Sequence, residues 1–319
     1  MSGRIRFVYL TSFPYSGSTL FSFLINAHPK IATVGEMTGP TATQDPEAYK
    51  CSCGQKMRQC PFWMQVAEQM ASRGFSFQCM SFDTRIQLGN SFQAQRILSG
   101  SLRSSFLEDL RDRMLRFWPS QWQRQQYLVS RRRAMAESIL QLTNKSLFFD
   151  ASKSPMTIRH LTAQPDVDLR VVHLVRDVRG ASHSKRKNQG AMDWRQAVKA
   201  WVRENRSIER QLELLPSDKW IRLRYEDLCQ DPAATLNLFF HFCGMSPHRI
   251  PQDFQTLEHH IVGNRMRLTD VGQIHLDESW RRQITPEEQD LAIRLASSMQ
   301  LRYGYPRMIA ADIESGATR

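Results

Sequence analysis

The chain has 319 residues, and its Lys and Arg residues outnumber Asp and Glu by 43 to 31, a formal charge of +12. This charge favours an anionic partner such as a nucleotide, a nucleic acid, an acidic glycan or a membrane surface. The apolar runs fall well short of the ~20 residues that a membrane span needs, and six cysteines are too few for a disulfide scaffold. A strand-like stretch begins almost at the N-terminus and leaves no room for a signal peptide, so we expect a cytoplasmic protein.

The N-terminal part of the sequence predicts a strand, a glycine-containing loop and a helix. Ile5 to Thr11 is rich in β-branched and aromatic residues, and Gly17 lies in the short loop that follows. Apolar residues at helical spacing come next. Ile31 to Val34 then predicts a second strand, which brings Glu36 to its carboxyl end.

Residues 46–145 are polar and rich in Arg and Gln, with helical patches. We interpret them as a mainly helical insertion in a single domain that covers residues 1–319. Three consecutive arginines, Arg131 to Arg133, could bind an anion. Such a run on a helix is more often a solvated face, and we expect the solvated face here.

Three cysteines of the insertion, Cys51, Cys53 and Cys60, are close in sequence. They could form part of a zinc site, a redox disulfide or a group of loose thiols. Zinc needs a fourth ligand, for example Cys79 or a distant histidine, and the spacing is not that of a standard zinc finger. We expect a structural loop element that could carry one disulfide, and no catalytic metal.

Strand-like and helical stretches alternate in the second half of the chain. The predicted strands are Ser146–Phe149, Leu169–Val175 and Trp220–Arg224. The predicted helices are Pro155–Leu161, Trp194–Leu214, Pro232–Cys243 and Pro286–Met299. This alternation indicates βαβ units and a parallel sheet that helices cover on both faces.

Residues that suit a phosphate follow the predicted strands, where parallel α/β sheets bind their ligands. The loop after the first strand offers backbone N–H groups and hydroxyls at a helix N-terminus, from Tyr15, Ser16, Gly17, Ser18 and Thr19. Lys153 follows the third strand. Arg176 ends the fourth, with Ser184 in the next helix, and an arginine with a hydroxyl is a good clamp for a phosphate monoester. Tyr225 offers an aromatic face after the fifth strand.

The order of these residues resembles that of the sulfotransferases that use 3′-phosphoadenosine-5′-phosphosulfate (PAPS). "PYSGST" is similar to their 5′-phosphosulfate loop, "RDVRGASHS" to their 3′-phosphate element and "YEDL" to the segment whose Tyr lies near the adenine. "HHIVGNRMR" and "DESWRRQIT" resemble the segment that closes over the nucleotide, which makes Asn264, Arg265 and Arg267 candidate phosphate contacts. The resemblance runs from residue 7 to about 285. It implies a P-loop-like three-layer α/β fold with a central parallel sheet.

"SGSTL…AHP…GE" and "CSCG…CPFW" are similar to a bacterial branch of this superfamily and, more distantly, to tyrosylprotein sulfotransferases. In that eukaryotic group a Glu of the "GE" segment is the catalytic base, and a Lys before Pro stabilises the sulfuryl group. These roles fall on Glu36 and Lys153. The chain departs from the pattern at Tyr15, which stands where the related enzymes carry a catalytic Lys or Arg. Tyr brings no positive charge, so Lys153 is our candidate for the electrostatic role.

The resemblance implies in-line transfer of a sulfuryl group from PAPS to a hydroxyl or amine, with no metal required. The acceptor could be a small molecule, a glycan or a peptide, and we expect no nucleic acid partner. We expect His183, His259 and His260 to be packed or solvated. A P-loop kinase would need G-x-x-x-x-G-K-[ST], which is absent. A polyanion-binding protein without enzymatic activity would leave the order of the strand-end residues unexplained.

Overall fold

The computed structural model describes residues 3–40, 45, 47–190, 192–263, 265–268 and 273–305. Within these ranges five strands form one parallel sheet in the order β2-β3-β1-β4-β5. The strands are β1 (Ile5–Thr11), β2 (Ile31–Thr33), β3 (Leu147–Lys153), β4 (Val167–Val175) and β5 (Trp220–Arg224). The described α-helices are α1 (Ser18–Asn26), α2 (Pro61–Ser72), α3 (Phe92–Leu98), α4 (Ser105–Arg116), α5 (Pro119–Thr143), α6 (Pro155–Thr162), α7 (Val178–Gln189), α8 (Trp194–Leu212), α9 (Tyr225–Gln230), α10 (Pro232–Phe242), α11 (Trp280–Gln283) and α12 (Pro286–Arg302).

The central strand β1 contributes to a hydrophobic core on each face of the sheet. Phe7 and Tyr9 pack into a core that includes residues of α5 and α6, whereas Val8 and Leu10 pack into a core with residues of α1 and α10. Successive side chains of a strand point to opposite faces, so a strand that is apolar throughout has to be covered on both sides. This arrangement confirms the predicted three-layer α/β fold. Among the described helices, we find none whose length and hydropathy suit a membrane span.

Strand β3 is longer than the sequence predicts. We expected it to end at Phe149, but it continues to Lys153 and pairs with β1 through Tyr9 opposite Asp150 and Thr11 opposite Lys153. The pairing shifts register between these two positions. The polar sequence Asp-Ala-Ser-Lys can extend a buried strand because the Asp150 carboxylate is paired inside the fold.

The partner of Asp150 comes from the arginine run of α5, and it corrects the prediction of a solvated face. Arg131 and Arg132 are buried, at 3% and 1% exposure. Arg132 forms the ion pair with Asp150, with a distance of 3.1 Å from its Nε to Oδ2, and Arg131 donates to the carbonyl of Phe82. Only Arg133 matches the expectation, because it is partly exposed. Helix α5 packs against β2 and β3, so part of the predicted insertion belongs to the covering of the sheet.

Candidate functional site

The loop between β1 and α1 has the features of a site for an anionic group. Gly17, at the N-cap of α1, has a φ of 89°, and a Cβ built on it would lie 2.4 Å from a ring carbon of Tyr225. Only glycine satisfies both requirements. The hydroxyls of Ser12 and Ser16 are buried and find no hydrogen-bond partner among the described atoms. Buried hydroxyls normally have a hydrogen-bond partner. A phosphate oxygen held at the start of α1 would supply a hydrogen-bond acceptor in this loop.

Arg176 links this loop to the start of α7, directly after β4. Its guanidinium donates to the carbonyl of Tyr15 at 3.0 Å and to the hydroxyl of Ser184 at 3.3 Å. It also lies 4.5 Å above the ring of Tyr225. The sequence placed these four residues at the ends of three different strands, and the structure brings them together around one buried cation.

Asp277 is a member of this group that the sequence analysis missed. Its backbone carbonyl and carboxylate accept hydrogen bonds from Arg176 at 2.8 and 3.0 Å, and its N–H lies 3.4 Å from the hydroxyl of Tyr225. Partial burial opposes ionisation, but hydrogen bonds from Ser279 and Arg176 outweigh it and lower the pKa of this carboxyl to about 2. Arg176 is therefore neutralised by an acidic side chain of the chain itself.

Lys153 and Glu36 meet at the carboxyl ends of β3 and β2. The Lys153 ammonium group forms an ion pair with the Glu36 carboxylate, and both side chains keep some exposure. The backbone holds each residue in place. Thr11 donates its hydroxyl to the carbonyl of Lys153 at 2.8 Å, and the N–H of Glu36 donates to the carbonyl of Val262 at 3.0 Å. Lys153 has a φ of 73°, an uncommon conformation for a residue other than glycine, at the point where β3 ends.

A buried hydrogen-bond network holds the residues on either side of Lys153. Arg132 donates to the hydroxyl of Ser152 at 2.9 Å as well as to Asp150, and the Asp150 carboxylate accepts the N–H of Ser152 at 2.9 Å. Tyr9 donates its hydroxyl to the carbonyl of Ser154 at 2.9 Å, and burial raises the pKa of that hydroxyl. The residues on both sides of Lys153 are thereby fixed.

A cavity of about 930 Å³ connects the loop to the ion pair. Its walls include Tyr15, Gly17, Ser18, Thr19, Glu36 and Lys153 on the sheet side. Several residues between positions 85 and 100 also line the cavity, with Phe92 and Arg96 among them. Burial raises the pKa of the Tyr15 hydroxyl, so Tyr15 remains a neutral hydrogen-bond donor in the loop before the N-terminus of α1.

The predicted closing segment is only partly visible. Asn264 and the side chain of Arg265 lie outside the described residues. Arg267 is buried: its guanidinium donates to the carbonyl of Gly263, a cavity-lining residue, at 3.0 Å and lies 4.1 Å above the ring of Tyr49. Its contact with a phosphate stays a prediction.

The three histidines that we predicted to be packed or solvated are not among the described residues that line the cavity. His183 is buried in α7, and burial lowers its pKa. His259 hydrogen-bonds to the hydroxyl of Ser52 and to the carbonyl of Gln255, at 2.8 Å each. His260 lies beside the cysteines of the insertion. We find none of these three side chains among the residues described as lining the cavity.

Comparison with known proteins agrees with this geometry. A model of the sulfotransferase family matches residues 8–249. The sulfotransferase domain from the curacin biosynthetic pathway has a similar structure, with a TM-score of 0.51 and 16% identity over 96% of this chain and 100% of that one. The sulfotransferase domain from the Synechococcus PCC 7002 olefin synthase gives a TM-score of 0.50 and 19% identity over 94% and 96% of the two chains. The comparison with curated proteins gave no match.

At such low identities the two structures establish the fold alone. The family match is more informative, because it extends from β1 through β5 and includes both the loop after β1 and the element that carries Arg176 and Ser184. It covers more than half of the chain. The protein therefore belongs to the sulfotransferase family.

Proposed function

We propose that the protein transfers the sulfuryl group of PAPS to a hydroxyl or amine of an acceptor. The observation that carries the proposal is the position of Arg176, which contacts the Tyr15 carbonyl and the Ser184 hydroxyl at once. The proposed 5′ and 3′ elements thus share one cation. A nucleotide with a phosphosulfate at the 5′ position and a phosphate at the 3′ position is an anion that suits both elements.

The residues of the donor site then have distinct roles. Ser16, Gly17, Ser18 and Thr19 hold the 5′-phosphosulfate through N–H groups and hydroxyls at the start of α1. Arg176 and Ser184 hold the 3′-phosphate. Tyr225 supports both, because its ring lies against Gly17 and under Arg176. The buried hydroxyl of Ser16, which has no partner among the described atoms, supports this assignment.

Glu36 and Lys153 are the proposed catalytic residues. The acceptor atom forms a bond to sulfur while the bond between sulfur and the phosphate oxygen breaks, and the acceptor proton passes to the Glu36 carboxylate. Lys153 neutralises the charge that develops on the departing oxygen. Their ion pair fits these roles, since it places the cation beside the base before the donor binds. Tyr15 contributes a hydrogen-bond donor without charge.

Residues 85–100 form the proposed acceptor side of the cavity. Phe92 and Ile86 offer apolar surface there, and Arg96 offers positive charge. Acceptors as different as a small molecule, a sugar hydroxyl and a peptide side chain have the hydroxyl or amine that this reaction needs. The acceptor therefore has to be found by screening.

Calorimetric titration tests the donor site before an acceptor is known. We expect 3′-phosphoadenosine-5′-phosphate, the product nucleotide, to bind about 10²-fold more tightly than AMP or ATP, because only it carries the 3′-phosphate. Arg176→Ala should lose most of that preference. Arg186→Ala, in the helix that follows Arg176 and paired with Glu288, is the matched control and should retain it. Equal binding of AMP, or a preference for ATP, would refute the proposal.

A further inference from the structure

A second group of reactive side chains lies apart from the proposed donor site. It consists of Cys51, Cys53, Cys60 and His260, whose sulfur atoms and imidazole nitrogen all lie within 4.8 Å of one another. Cys51 and Cys60 are buried, the imidazole of His260 is only 11% exposed, and Cys53 reaches the surface. We propose that these four side chains bind one zinc ion as a closed, structural site.

Three of the six distances between the four ligand atoms match tetrahedral coordination, and all six are at most 4.8 Å. Zinc lies about 2.3 Å from a thiolate and about 2.0–2.1 Å from an imidazole nitrogen, so a tetrahedral site places two sulfurs about 3.8 Å apart and a sulfur and a nitrogen about 3.5 Å apart. In the structure Nδ1 of His260 lies 3.5 Å from the sulfur of Cys51 and 3.4 Å from that of Cys60. The sulfurs of Cys53 and Cys60 are 3.7 Å apart. Three thiolates and a neutral imidazole form a standard ligand set for structural zinc.

The surroundings of His260 orient it as a ligand. Its Nε2 lies 3.2 Å from a carboxylate oxygen of Glu258. This oxygen can accept a hydrogen bond from the Nε2–H group, which leaves the lone pair of Nδ1 facing the sulfurs. Metal-binding histidines usually have such a carboxylate or carbonyl partner on the second nitrogen. The ring of Phe62 stacks on the imidazole with a centroid distance of 4.1 Å and an interplanar angle of 5°. The side chain is thus fixed from two directions.

The backbone around the cysteines is shaped for thiolate ligands. Cys51 and Gln55 close a tight turn, with a distance of 2.8 Å from the N–H of Cys51 to the carbonyl of Gln55, and Gly54 within it has a φ of 89°. Backbone groups of Cys53, Gln55 and Trp63 lie close to the sulfurs of Cys51, Cys53 and Cys60, respectively. Cys60 is also the N-cap of α2, where the helix dipole favours a negative charge.

This arrangement answers the question that the cysteine spacing left open. The fourth ligand is the distant histidine and not Cys79, which lies outside the group. A disulfide between Cys53 and Cys60 would use two of the four side chains and would leave Cys51 and His260 without the partner their geometry suits. All six cysteines are free thiols in the structure, and binding releases the three thiol protons to solvent.

The metal would tie together two segments that lie about 200 residues apart in sequence. His260 is two residues from Val262, whose N–H donates to the carbonyl of Val34 at 2.7 Å and whose carbonyl accepts the N–H of Glu36 at 3.0 Å. The zinc site therefore anchors the segment that holds the backbone of Glu36. The inference rests on the four ligands alone and does not depend on the proposed function.

Metal analysis of the full-length protein tests the proposal. The protein is purified under reducing conditions without a polyhistidine tag, and zinc is measured by inductively coupled plasma mass spectrometry. We expect about one zinc per chain. Cys53→Ser, at the exposed ligand, should lose at least half of it, whereas the control Cys79→Ser should retain it. Removal of zinc with a chelator should lower the melting temperature by roughly 5–15 °C and make three further thiols reactive.

A second measurement covers the case in which the cysteine variants do not fold. Wild-type protein stripped of metal is titrated with Co²⁺, and the intense visible absorption of tetrahedral cobalt with a thiolate charge-transfer band is expected. Zinc below about a tenth per chain together with no tetrahedral cobalt spectrum would overturn the proposal. Equal zinc content in Cys53→Ser and wild type, or a Cys53–Cys60 disulfide in the reduced protein, would overturn it as well.

Discussion

Lys153 and Glu36 form an ion pair across the carboxyl ends of two neighbouring strands, although 117 residues separate them in sequence. The strand-end position of Lys153 and the pairing of Val262 with the residues after β2 fix the two backbones. The proposed base and the proposed cation are thus held next to each other in the lining of the cavity.

Removal of the cation should slow the reaction more than it weakens nucleotide binding. We expect Lys153→Met to reduce PAPS turnover by about 10²–10³-fold, because charge on the departing oxygen is then poorly stabilised. The affinity for the product nucleotide should change less than tenfold. Release of 3′-phosphoadenosine-5′-phosphate measures the rate, and Lys153→Arg, which keeps the charge, should recover part of it. A turnover rate in Lys153→Met equal to that of wild type would exclude Lys153 from catalysis.

Substitution of Gly17 should damage the donor loop for two reasons that a control can separate. Gly17→Ala places a methyl group 2.4 Å from the Tyr225 ring and also strains a backbone with a φ of 89°. We expect a loss of about 2–4 kcal/mol in the free energy of unfolding, together with loss of nucleotide binding. Gly74 has a φ of 82° and open space around the same position. Gly74→Ala should therefore cost only about 1 kcal/mol and leave binding intact, as measured by urea unfolding and calorimetry. Equal losses in the two variants would mean that contact with Tyr225 is unimportant.

Asp277 should compete with a bound 3′-phosphate for Arg176. Asp277→Asn removes the negative charge but keeps a side chain that can accept from Ser279. We expect it to raise the affinity for 3′-phosphoadenosine-5′-phosphate by about 3–10-fold, with little change for AMP. Calorimetry at low and high salt measures both. Weaker binding in the variant would indicate that Asp277 helps to hold the nucleotide and does not oppose it.

The free energy of unfolding should fall as the pH drops below 6.5. Burial lowers the pKa of His173 to about 3 and that of His160 to about 4, from an ordinary value of 6.5. The unfolded chain therefore takes up protons between pH 6.5 and 4 that the folded chain does not, which favours unfolding by up to about 1.4 kcal/mol per pH unit for each histidine. Stability from these residues is complete above pH 6.5.

A variant at His173 separates this effect from the titration of carboxylates. His173→Gln can still hydrogen-bond to Asn205 but takes up no proton, so the fall between pH 6.5 and 4 should become shallower even if the stability at pH 8 is lower. His241→Gln, at an exposed histidine, is the control. Urea unfolding at pH 8, 6 and 5 gives the slopes. An unchanged slope in His173→Gln would assign the acid sensitivity to other groups.

The sequence predicted the elements whose signals are local. The bounds of β1 and β5 agree with the prediction to the residue. In both strands the apolar and β-branched stretch that predicts a strand ends at a polar residue, Thr11 in β1 and Arg224 in β5. The approach of Arg176 to Ser184 is local too, since eight residues separate them and one helix carries the hydroxyl. By contrast, the contact of Glu36 with Lys153 was accessible only through the resemblance to a family.

Features that depend on distant partners escaped the sequence analysis. Arg132 is buried only because Asp150 lies opposite it in the folded chain, and no spacing in the sequence links the two residues. The same partner lets β3 continue past Phe149 through a polar stretch. Asp277 is the first residue of "DESWRRQIT", which resembles the closing segment of the family, but no sequence pattern links its carboxylate to Arg176, so only the folded structure reveals their contact.

The pairing of Val262 with the chain beyond β2 has a consequence for synthesis on the ribosome. All five strands lie before residue 225, so the sheet can assemble before Val262 is translated. Glu36 gains its backbone partner only after Val262 has emerged, and Arg176 gains its acidic partner only after Asp277 has emerged. The nascent chain thus passes through a stage with a complete sheet and an incomplete candidate site.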